Sequence, residues 1–212
     1  MTNLETVMEN LRKNHLNPQY VSKKEDVLPL IERILREGDT VAVGGSVTLD
    51  EIGALDLLRS GKYQFLDRYA EGLTREQIEE IFRRSFFADA YLCSSNAITE
   101  QGELYNVDGT GNRVAAIAYG PKKVIIVAGI NKIVKDIDDA ARRVKTCAAP
   151  PNTRRLGFET YCNKTGHCAK VDGGMTAGCA ADLRICCSYL ITGFQRQTDR
   201  IYVILVGEEC GY

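Results

Sequence analysis

Polar residues and glycines that a hydrophobic core does not require are concentrated between positions 94 and 113 of this 212-residue chain. They lie between two apolar segments, 90–94 and 124–128, whose composition is typical of buried parallel strands. In α/β proteins, small polar groups at strand ends and helix starts form ligand sites. The stretch therefore predicts a small-molecule site, and its candidate residues are Ser95, Asn96, Thr99, Glu100, Asn106, Asp108, Gly109, Thr110 and Arg113.

A second glycine-rich turn, Gly44-Gly45-Ser46, follows the apolar segment 40–43 and precedes a helix expected to begin near Thr48. Free backbone N–H groups at such a turn attract an anion, and the helix dipole adds to the attraction. The turn lacks the third glycine of the dinucleotide fingerprint and the Gly-Lys-Ser/Thr of a P-loop. It is consistent with an anion site or with a plain strand-to-helix turn, and the second glycine-rich loop at 109–111 favours the anion site.

Two carboxylates in the polar stretch, Glu100 and Asp108, are the candidates for acid–base catalysis. Burial and the neighbouring Arg113 would tune the pKa of a carboxyl group there. We expect the amides at 44–46 and 109–112, together with Arg113, to hold an anionic metabolite. For Glu100 the alternative is a structural hydrogen bond to the neighbouring turn.

Eight cysteines are many for a chain of this size without a secretion signal, and five of them lie between Cys162 and Cys187. Metal binding or redox chemistry explains this better than disulfides, because cytosolic thiols are kept reduced. Four thiolates in a loop-rich segment can form a zinc site or hold an iron–sulfur cluster, although the spacing matches neither strict motif. The alternatives are buried free cysteines or one disulfide formed on isolation. The predicted metal ligands are Cys162, Cys168, Cys179 and Cys186.

Composition limits the class of protein. The formal net charge is −1, from 27 basic and 28 acidic residues, so no basic surplus indicates nucleic-acid binding. No apolar run approaches the roughly 20 residues that a membrane span requires. The N-terminal sequence is polar and amphipathic, unlike a signal peptide. We therefore expect a cytoplasmic protein with no membrane contact.

The elements that must position these residues alternate between helices and strands up to residue 145. Helical spacing of apolar residues occurs at 4–11, 27–35, 74–86 and 136–145, and short apolar runs at 19–21, 40–43, 64–66, 90–94, 124–128 and 201–206. This alternation predicts an α/β fold of three layers, a mostly parallel sheet covered by helices. Residues 146–198 break the alternation. We expect a single domain, 1–212, with a cysteine-rich loop lobe inserted at 146–198.

The sequence SSNAITEQGELYNVDGTGNRVAAIAYGPKKVIIVAGINKIV resembles the central motif of the LUD family, the lactate-utilisation domain, and GGSVTLDEIG resembles its earlier loop. The resemblance covers most of residues 1–145 and the closing IYVILVGEE. A looser similarity to CoA-transferase-like proteins, including ribose-phosphate isomerase and initiation-factor 2B relatives, implies the NagB/RpiA/CoA-transferase fold. That fold implies a ligand pocket at the carboxyl ends of the strands. Some family members have a tighter C-x5-C-x2-C-x6-C segment, from which this chain differs by an insertion at 171–178.

Members of the family are associated with oxidation of lactate to pyruvate, often beside iron–sulfur proteins. The resemblance therefore implies a protein of lactate or small-carboxylate metabolism that binds a small anionic metabolite, with zinc or an iron–sulfur cluster on the cysteines. One alternative is a non-catalytic regulatory or assembly subunit of an iron–sulfur redox complex. Another is a CoA-transferase-like enzyme with Glu100 as the acyl nucleophile. An iron–sulfur redox protein and a second copy of the chain are the expected macromolecular partners.

Overall fold

In the computed structural model, which describes residues 4–212, strands and helices alternate along most of the chain. The strands are β1 (Pro18–Val21), β2 (Thr40–Val43), β3 (Gln64–Leu66), β4 (Ala90–Cys93), β5 (Ala97–Thr99), β6 (Leu104–Asp108), β7 (Lys123–Gly129), β8 (Ile133–Val134), β9 (Ser188–Thr192) and β10 (Ile201–Val206). The helices are α1 (Leu4–Lys13), α2 (Val27–Ile34), α3 (Val47–Glu51), α4 (Ala54–Arg59), α5 (Arg75–Arg84), α6 (Asn112–Ala118), α7 (Ile137–Arg143), α8 (Ala149–Arg155) and α9 (Tyr161–Thr165).

The centre of the fold is a six-stranded parallel sheet in the order β1-β10-β7-β4-β2-β3. Successive side chains of a strand point to opposite faces, so a strand covered on both faces is apolar throughout. Along β7, Val124 and Ile126 pack in the core that includes α1 and α6. Ile125 and Val127 pack in the core that includes α2, α3 and α4. The predicted three-layer α/β fold is confirmed.

Local sequence explains several helix starts. The Thr74 hydroxyl accepts a hydrogen bond from the Gln77 amide, and the Gln77 side chain accepts one from the Thr74 amide. This is the capping box expected before α5. Ser46 and Asp136 cap α3 and α7 in the simpler way, each accepting from an amide three residues later.

The connections of the sheet diverge between β2 and β4. The chain passes from β2 through α3 and α4 to the edge strand β3, whereas β4 leads through α6 to β7 on the other side. Neighbouring parallel strands whose connections run in opposite directions leave a crevice beyond their carboxyl ends. The loops that follow β2 and β4 are therefore the expected walls of a ligand site.

A second, four-stranded sheet, β8-β5-β6-β9, joins the cysteine-rich segment to the rest of the molecule. Strand β9 belongs to that segment, and five residue pairs align it antiparallel to β6. The segment predicted as a loop lobe thus contains α8, α9 and β9. Sequence analysis misses α8 because Pro150 and Pro151 resemble helix breakers. They occupy its first turn, which continues directly from a turn of π-helix at Val144–Ala148. The Lys145 carbonyl in that turn accepts from the Cys168 amide instead of from position 150.

Among residues 4–212, every helix is too short or too polar to cross a membrane.

Candidate functional site

A cavity of about 520 Å³ opens at the carboxyl ends of the parallel strands. The turn after β2 contributes Gly45 and Ser46, the loop after β4 contributes residues 94–96, and the end of β6 contributes residues 108–110. Lys132 follows β7, and residues 211–212 follow β10. The structure therefore brings the two glycine-rich turns, distant in sequence, to the same cavity. Its volume lies within the range of about 300–1,000 Å³ that is typical of small-molecule sites.

Most, but not all, of the predicted site residues line this cavity. Those on its wall are Gly45, Ser46, Ser95, Asn96, Asp108, Gly109, Thr110 and Arg113. The predicted residues that are not among its lining residues are Gly44, Thr99, Glu100 and Asn106. Gly44 and Asn106 lie immediately behind the wall, where both contact Arg113.

Glu100 and Thr99 lie at the turn between β5 and β6, against α1. The Glu100 amide donates to the Val134 carbonyl, and the Glu100 carbonyl accepts from the Asn10 side chain. The Thr99 hydroxyl donates to the Glu103 carboxylate at 2.6 Å and accepts from the Glu103 amide. These residues hold the hairpin turn together, and neither is among the lining residues of the cavity.

Arg113 is buried, and each of its five N–H groups is engaged. The acceptors are the side chains of Asp108, Asn96 and Asn106 and the carbonyls of Ser94 and Val107. The ion pair with Asp108 is 2.7 Å long. Burial lowers the pKa of Arg113, but the Asp108 carboxylate, together with smaller contributions from Cys93 and Tyr91, raises it overall. Arg113 thus joins the loops after β4 and β6 into one wall and has no donor left for a ligand.

Both carboxylate oxygens of Asp108 also have hydrogen-bond partners within the protein. Its Oδ1 accepts from the Arg113 guanidinium, and its Oδ2 accepts from the Val114 amide in the first turn of α6. The preceding Gly111 has φ of +87°, a conformation that suits glycine and lets the chain turn into the helix. The carboxylate therefore acts as a structural link between β6 and α6.

Lys132 is a cavity residue that sequence analysis misses. It is 3% exposed, and its Nζ donates to Thr48 Oγ1 and Ser94 Oγ, both at 2.9 Å. Among the described residues, no carboxylate forms an ion pair with it. Burial, followed by the charges of Arg143 and Arg113, lowers the pKa of Lys132 to about 7. The sequence does contain a signal for this residue. Lys132 is the single charged residue in the apolar segment VAGINKIV, which follows a buried strand and shows no polar face that would expose it to solvent.

The charge on the cavity wall is positive although the chain as a whole is slightly acidic. Its basic side chains are Arg68, Arg75, Arg113, Lys132, Arg155 and Arg184, and its acidic ones are Asp108 and Asp182. Within the part of the chain that the structure describes, Arg155 bonds only neutral oxygens, those of Asn152 and Tyr212. Helices α3 and α6 are five and seven residues long, so their dipoles are small beside these full charges. The positive charge that would attract an anion to this cavity therefore comes mainly from side-chain cations, and not from the helix dipoles that the sequence suggested.

The four predicted metal ligands line one smaller cavity, of about 20 Å³, next to the first. The two cavities share a wall made by Val144, Ala149, Arg184, Ile185 and Cys186. All the described cysteines are free. The pKa of Cys186 is raised to about 12, chiefly by burial and to a smaller extent by the nearby thiols of Cys162, Cys168 and Cys179. Within residues 4–212, no three metal-ligating side chains are close enough together to hold one metal ion.

Lys145 fixes the insertion that separates Cys168 from Cys179. Its buried ammonium donates to the carbonyls of Lys170, Gly173 and Gly174 at 2.8–2.9 Å. Its own carbonyl accepts from the Cys168 amide. The inserted residues therefore form an anchored loop, which keeps both cysteines at the edge of the small cavity.

Comparison with known proteins agrees with this architecture. The profile of the LUD domain matches residues 4–206. A crystal structure of a DUF162 family protein from Deinococcus radiodurans is similar, with a TM-score of 0.53 and 15% identity over 96% of this chain and 95% of that chain. A crystal structure of eIF2B beta from Chaetomium thermophilum gives a TM-score of 0.38 and 17% identity over 55% of this chain and 44% of that chain. No curated protein matches the chain.

At 15% identity the structural similarity supports the fold alone, whereas the family profile spans nearly the whole described chain. The chain belongs to the LUD domain family.

Proposed function

We propose that this LUD-domain protein binds a small anionic metabolite of the carboxylate class in the 520 Å³ cavity. The observation that carries the proposal is Lys132, a buried ammonium group without an ion-pair partner among residues 4–212. Burying an unpaired charge is costly, so such a group either loses its proton or acquires a counter-ion. An anionic ligand supplies that counter-ion, and the other cations of the wall add to its attraction.

Metabolism of lactate or a related small carboxylate is the corresponding physiological role. The family resemblance supplies this part of the proposal, and the positive cavity is compatible with it. The polar groups for orienting a hydroxyl or carboxylate are near Lys132, since Ser94 binds its amine and Ser95 and Asn96 follow on the same loop.

Thermal unfolding with added lactate, pyruvate or phosphate tests the anion site, with neutral lactamide as the ligand control. A ligand at roughly a hundredfold excess over its Kd adds about 2.7 kcal/mol of stability, or about 5–10 °C in Tm for a chain of this size. Lys132→Met should abolish the shift and should fold, because it replaces an unpaired buried cation with an apolar chain. Lys135→Met is the matched control, since Lys135 is exposed and three residues away. Equal shifts in both variants, or no shift with any anion, would contradict the proposal.

We further propose that Cys162, Cys168, Cys179 and Cys186 bind a metal centre. Support comes from their common cavity, its apolar surroundings and the loop anchored by Lys145. A tetrahedral zinc site with Zn–S bonds of about 2.3 Å needs sulfurs roughly 4 Å apart, and the described thiols are not grouped so closely. An iron–sulfur cluster binds each cysteine through a different iron atom, so it does not require the four thiols to be so close together.

Metal analysis and an anaerobic visible spectrum distinguish the two centres. After reconstitution with iron and sulfide, a cluster gives bound iron and broad visible absorption, whereas a zinc site gives a colourless zinc protein. Cys168→Ser should lose the centre, and Cys187→Ser should keep it, since Cys187 is exposed and its thiol donates to the Arg184 carbonyl. A folded wild-type chain that retains neither metal would contradict the metal proposal and leave the anion proposal intact.

A binding or regulatory role without turnover is the second candidate. The positions of the two predicted catalytic carboxylates favour it, because neither is free to act on a ligand. Both oxygens of Asp108 are hydrogen-bonded, and Glu100 lies outside the cavity. Co-purification with an iron–sulfur redox protein, together with anion binding and no turnover, would support this candidate. The CoA-transferase alternative gains no support, since its nucleophile would be Glu100.

A further inference from the structure

Lys132 combines three properties that are rarely found in one structural lysine. It is almost completely buried, two hydroxyl groups hold its Nζ, and it forms part of the wall of a cavity large enough for a metabolite. The Thr48 hydroxyl that accepts from Nζ itself donates to the Cys210 carbonyl, so the amine is held in a fixed position. An ammonium group has three donors, and the two hydroxyls account for two of them.

The surroundings of the amine favour its neutral form. The charged or titratable groups that act on it are Arg113 on α6, Arg143 on α7, Glu51 on α3 and Cys210 after β10. The two arginines disfavour a further positive charge, and the Glu51 carboxylate is used by Lys24 and the Gly211 amide. A neutral lysine amine in a desolvated pocket is the usual nucleophile for carbonyl compounds.

We propose that Lys132 forms an imine with the carbonyl carbon of a small oxo-carboxylate bound in the cavity. This inference rests on the proposed anion site and specifies its ligand. The Nζ lone pair forms the C–N bond, and the carbonyl oxygen takes up protons and leaves as water. The nitrogen passes one of its two amine protons to that oxygen and keeps the other, and a proton from solvent completes the water. The product is therefore the protonated imine, and the step needs no oxidant or reductant. The protonated imine places a positive charge beside the ligand's own carboxylate, which supplies the counter-ion that Lys132 otherwise lacks.

Ser94 is the group placed to assist proton movement. Its Oγ is 2.9 Å from Lys132 Nζ, and Ser94 also lines the cavity that water and ligand enter. A serine hydroxyl both donates and accepts, so it can pass a proton between the amine and the departing oxygen.

Borohydride trapping on the wild-type chain tests the inference without any mutation. The chain is incubated with pyruvate, treated with sodium borohydride, digested with trypsin and analysed by mass spectrometry. We expect a secondary amine at Lys132 with the added mass of pyruvic acid less one oxygen atom, and loss of tryptic cleavage after this residue. Lactate, which has no carbonyl group, should give no adduct and should compete with pyruvate.

Exposed Lys122 is the internal control, because its bond with Asp89 raises its pKa and keeps it protonated. At neutral pH the unprotonated fraction of Lys132 exceeds that of an ordinary lysine on the order of a thousandfold. The adduct should therefore form at Lys132 with little at Lys122, and its yield should rise through about pH 7. Lys132→Arg keeps the charge, so it should retain stabilisation by anions and lose the adduct.

Two results would overturn the inference and leave the anion site standing. One is stabilisation by pyruvate and lactate without an adduct at Lys132 at any pH, which would leave the anion site standing and remove the imine. The other is equal labelling of Lys132 and Lys122, which would mean that trapping reports reactivity in general and not this site. Failure of every anion to stabilise the chain would remove the anion site and the inference together.

Discussion

Lys132 makes anion binding sensitive to pH near neutrality. Its pKa is lowered to about 7 in the folded chain, against about 10.4 for an unperturbed lysine. Between these values the unfolded chain binds more protons, so the stability of the ligand-free chain rises with pH across this window. A bound anion favours the protonated amine, so anion affinity should fall above about pH 7, by up to about tenfold per pH unit.

The measurement is the increase in Tm caused by lactate as a function of pH, since the lactate carboxylate stays ionised over the whole range. The increase should shrink as pH rises through about 7 in the wild-type chain and in Lys135→Met. Lys132→Met should bind lactate weakly at every pH. A wild-type profile that does not change between mildly acidic and alkaline pH would assign the binding charge to the arginines instead.

Arg113 contributes to the site by holding its walls together. Replacement by methionine removes five hydrogen bonds and leaves the Asp108 carboxylate buried without its partner. Removing one partner of a buried ion pair destabilises a protein by about 3–5 kcal/mol, so Arg113→Met should lower the free energy of unfolding by about that amount. Urea denaturation measures the loss. Lys122→Met, which breaks an exposed pair with Asp89, should denature close to wild type.

The turn after β2 shows how an element limits the residues that it can accept. A Cβ atom at Gly44 would lie 3.0 Å from Arg113 Cδ and 3.2 Å from Cys93 Cβ, whereas at Gly45 the nearest atom, Tyr69 Oη, is 3.5 Å away. Gly44→Ala should therefore cost about 1–3 kcal/mol by overpacking. Gly45→Ala should cost much less. Thermal unfolding of the two variants tests this, and equal losses would show that close packing behind Gly44 is not what requires glycine.

Sequence predicts the elements whose cause is local. The apolar run of β7 implies a strand covered on both faces, and Thr74 with Gln77 marks the start of α5 three residues apart. The turn after β2 could be assigned to the cavity because the carboxyl ends of parallel strands share one edge of the sheet. The turn at 109–111 follows β6 of the second sheet, so its position at the cavity depends on how the two sheets pack.

Long-range packing decides the features that sequence did not reveal. Glu100 lies away from the cavity because the β5–β6 turn packs on α1, where Asn10 contacts it from 90 residues earlier in the chain. Lys132 becomes a site residue only because Thr48 and Ser94 meet around its amine. Neither contact has a periodicity or a local spacing that a sequence pattern could contain.

At the scale of the whole molecule, the cysteine-rich segment shares a hydrophobic core with the second sheet. Met175, Ile185 and Tyr189 from this segment pack on Tyr105 and other buried residues of β5, β6 and α7. The pairing of β9 with β6 adds backbone hydrogen bonds across the same boundary. We therefore expect one cooperative unfolding transition, because the segment has no separate core with which to stay folded.

Two native cysteines report on the two parts without mutation. Cys93 lies in the centre of the parallel sheet and Cys162 in the cysteine-rich segment, and both are buried. With chelator and a non-thiol reductant present, their alkylation is measured by mass spectrometry after a short pulse of reagent at increasing urea concentrations. Both thiols should become reactive at the same midpoint, because we expect the two parts to unfold together. If Cys162 reacted at clearly lower urea than Cys93, before the far-ultraviolet circular dichroism changed, the segment would be a separate folding unit docked on the sheet.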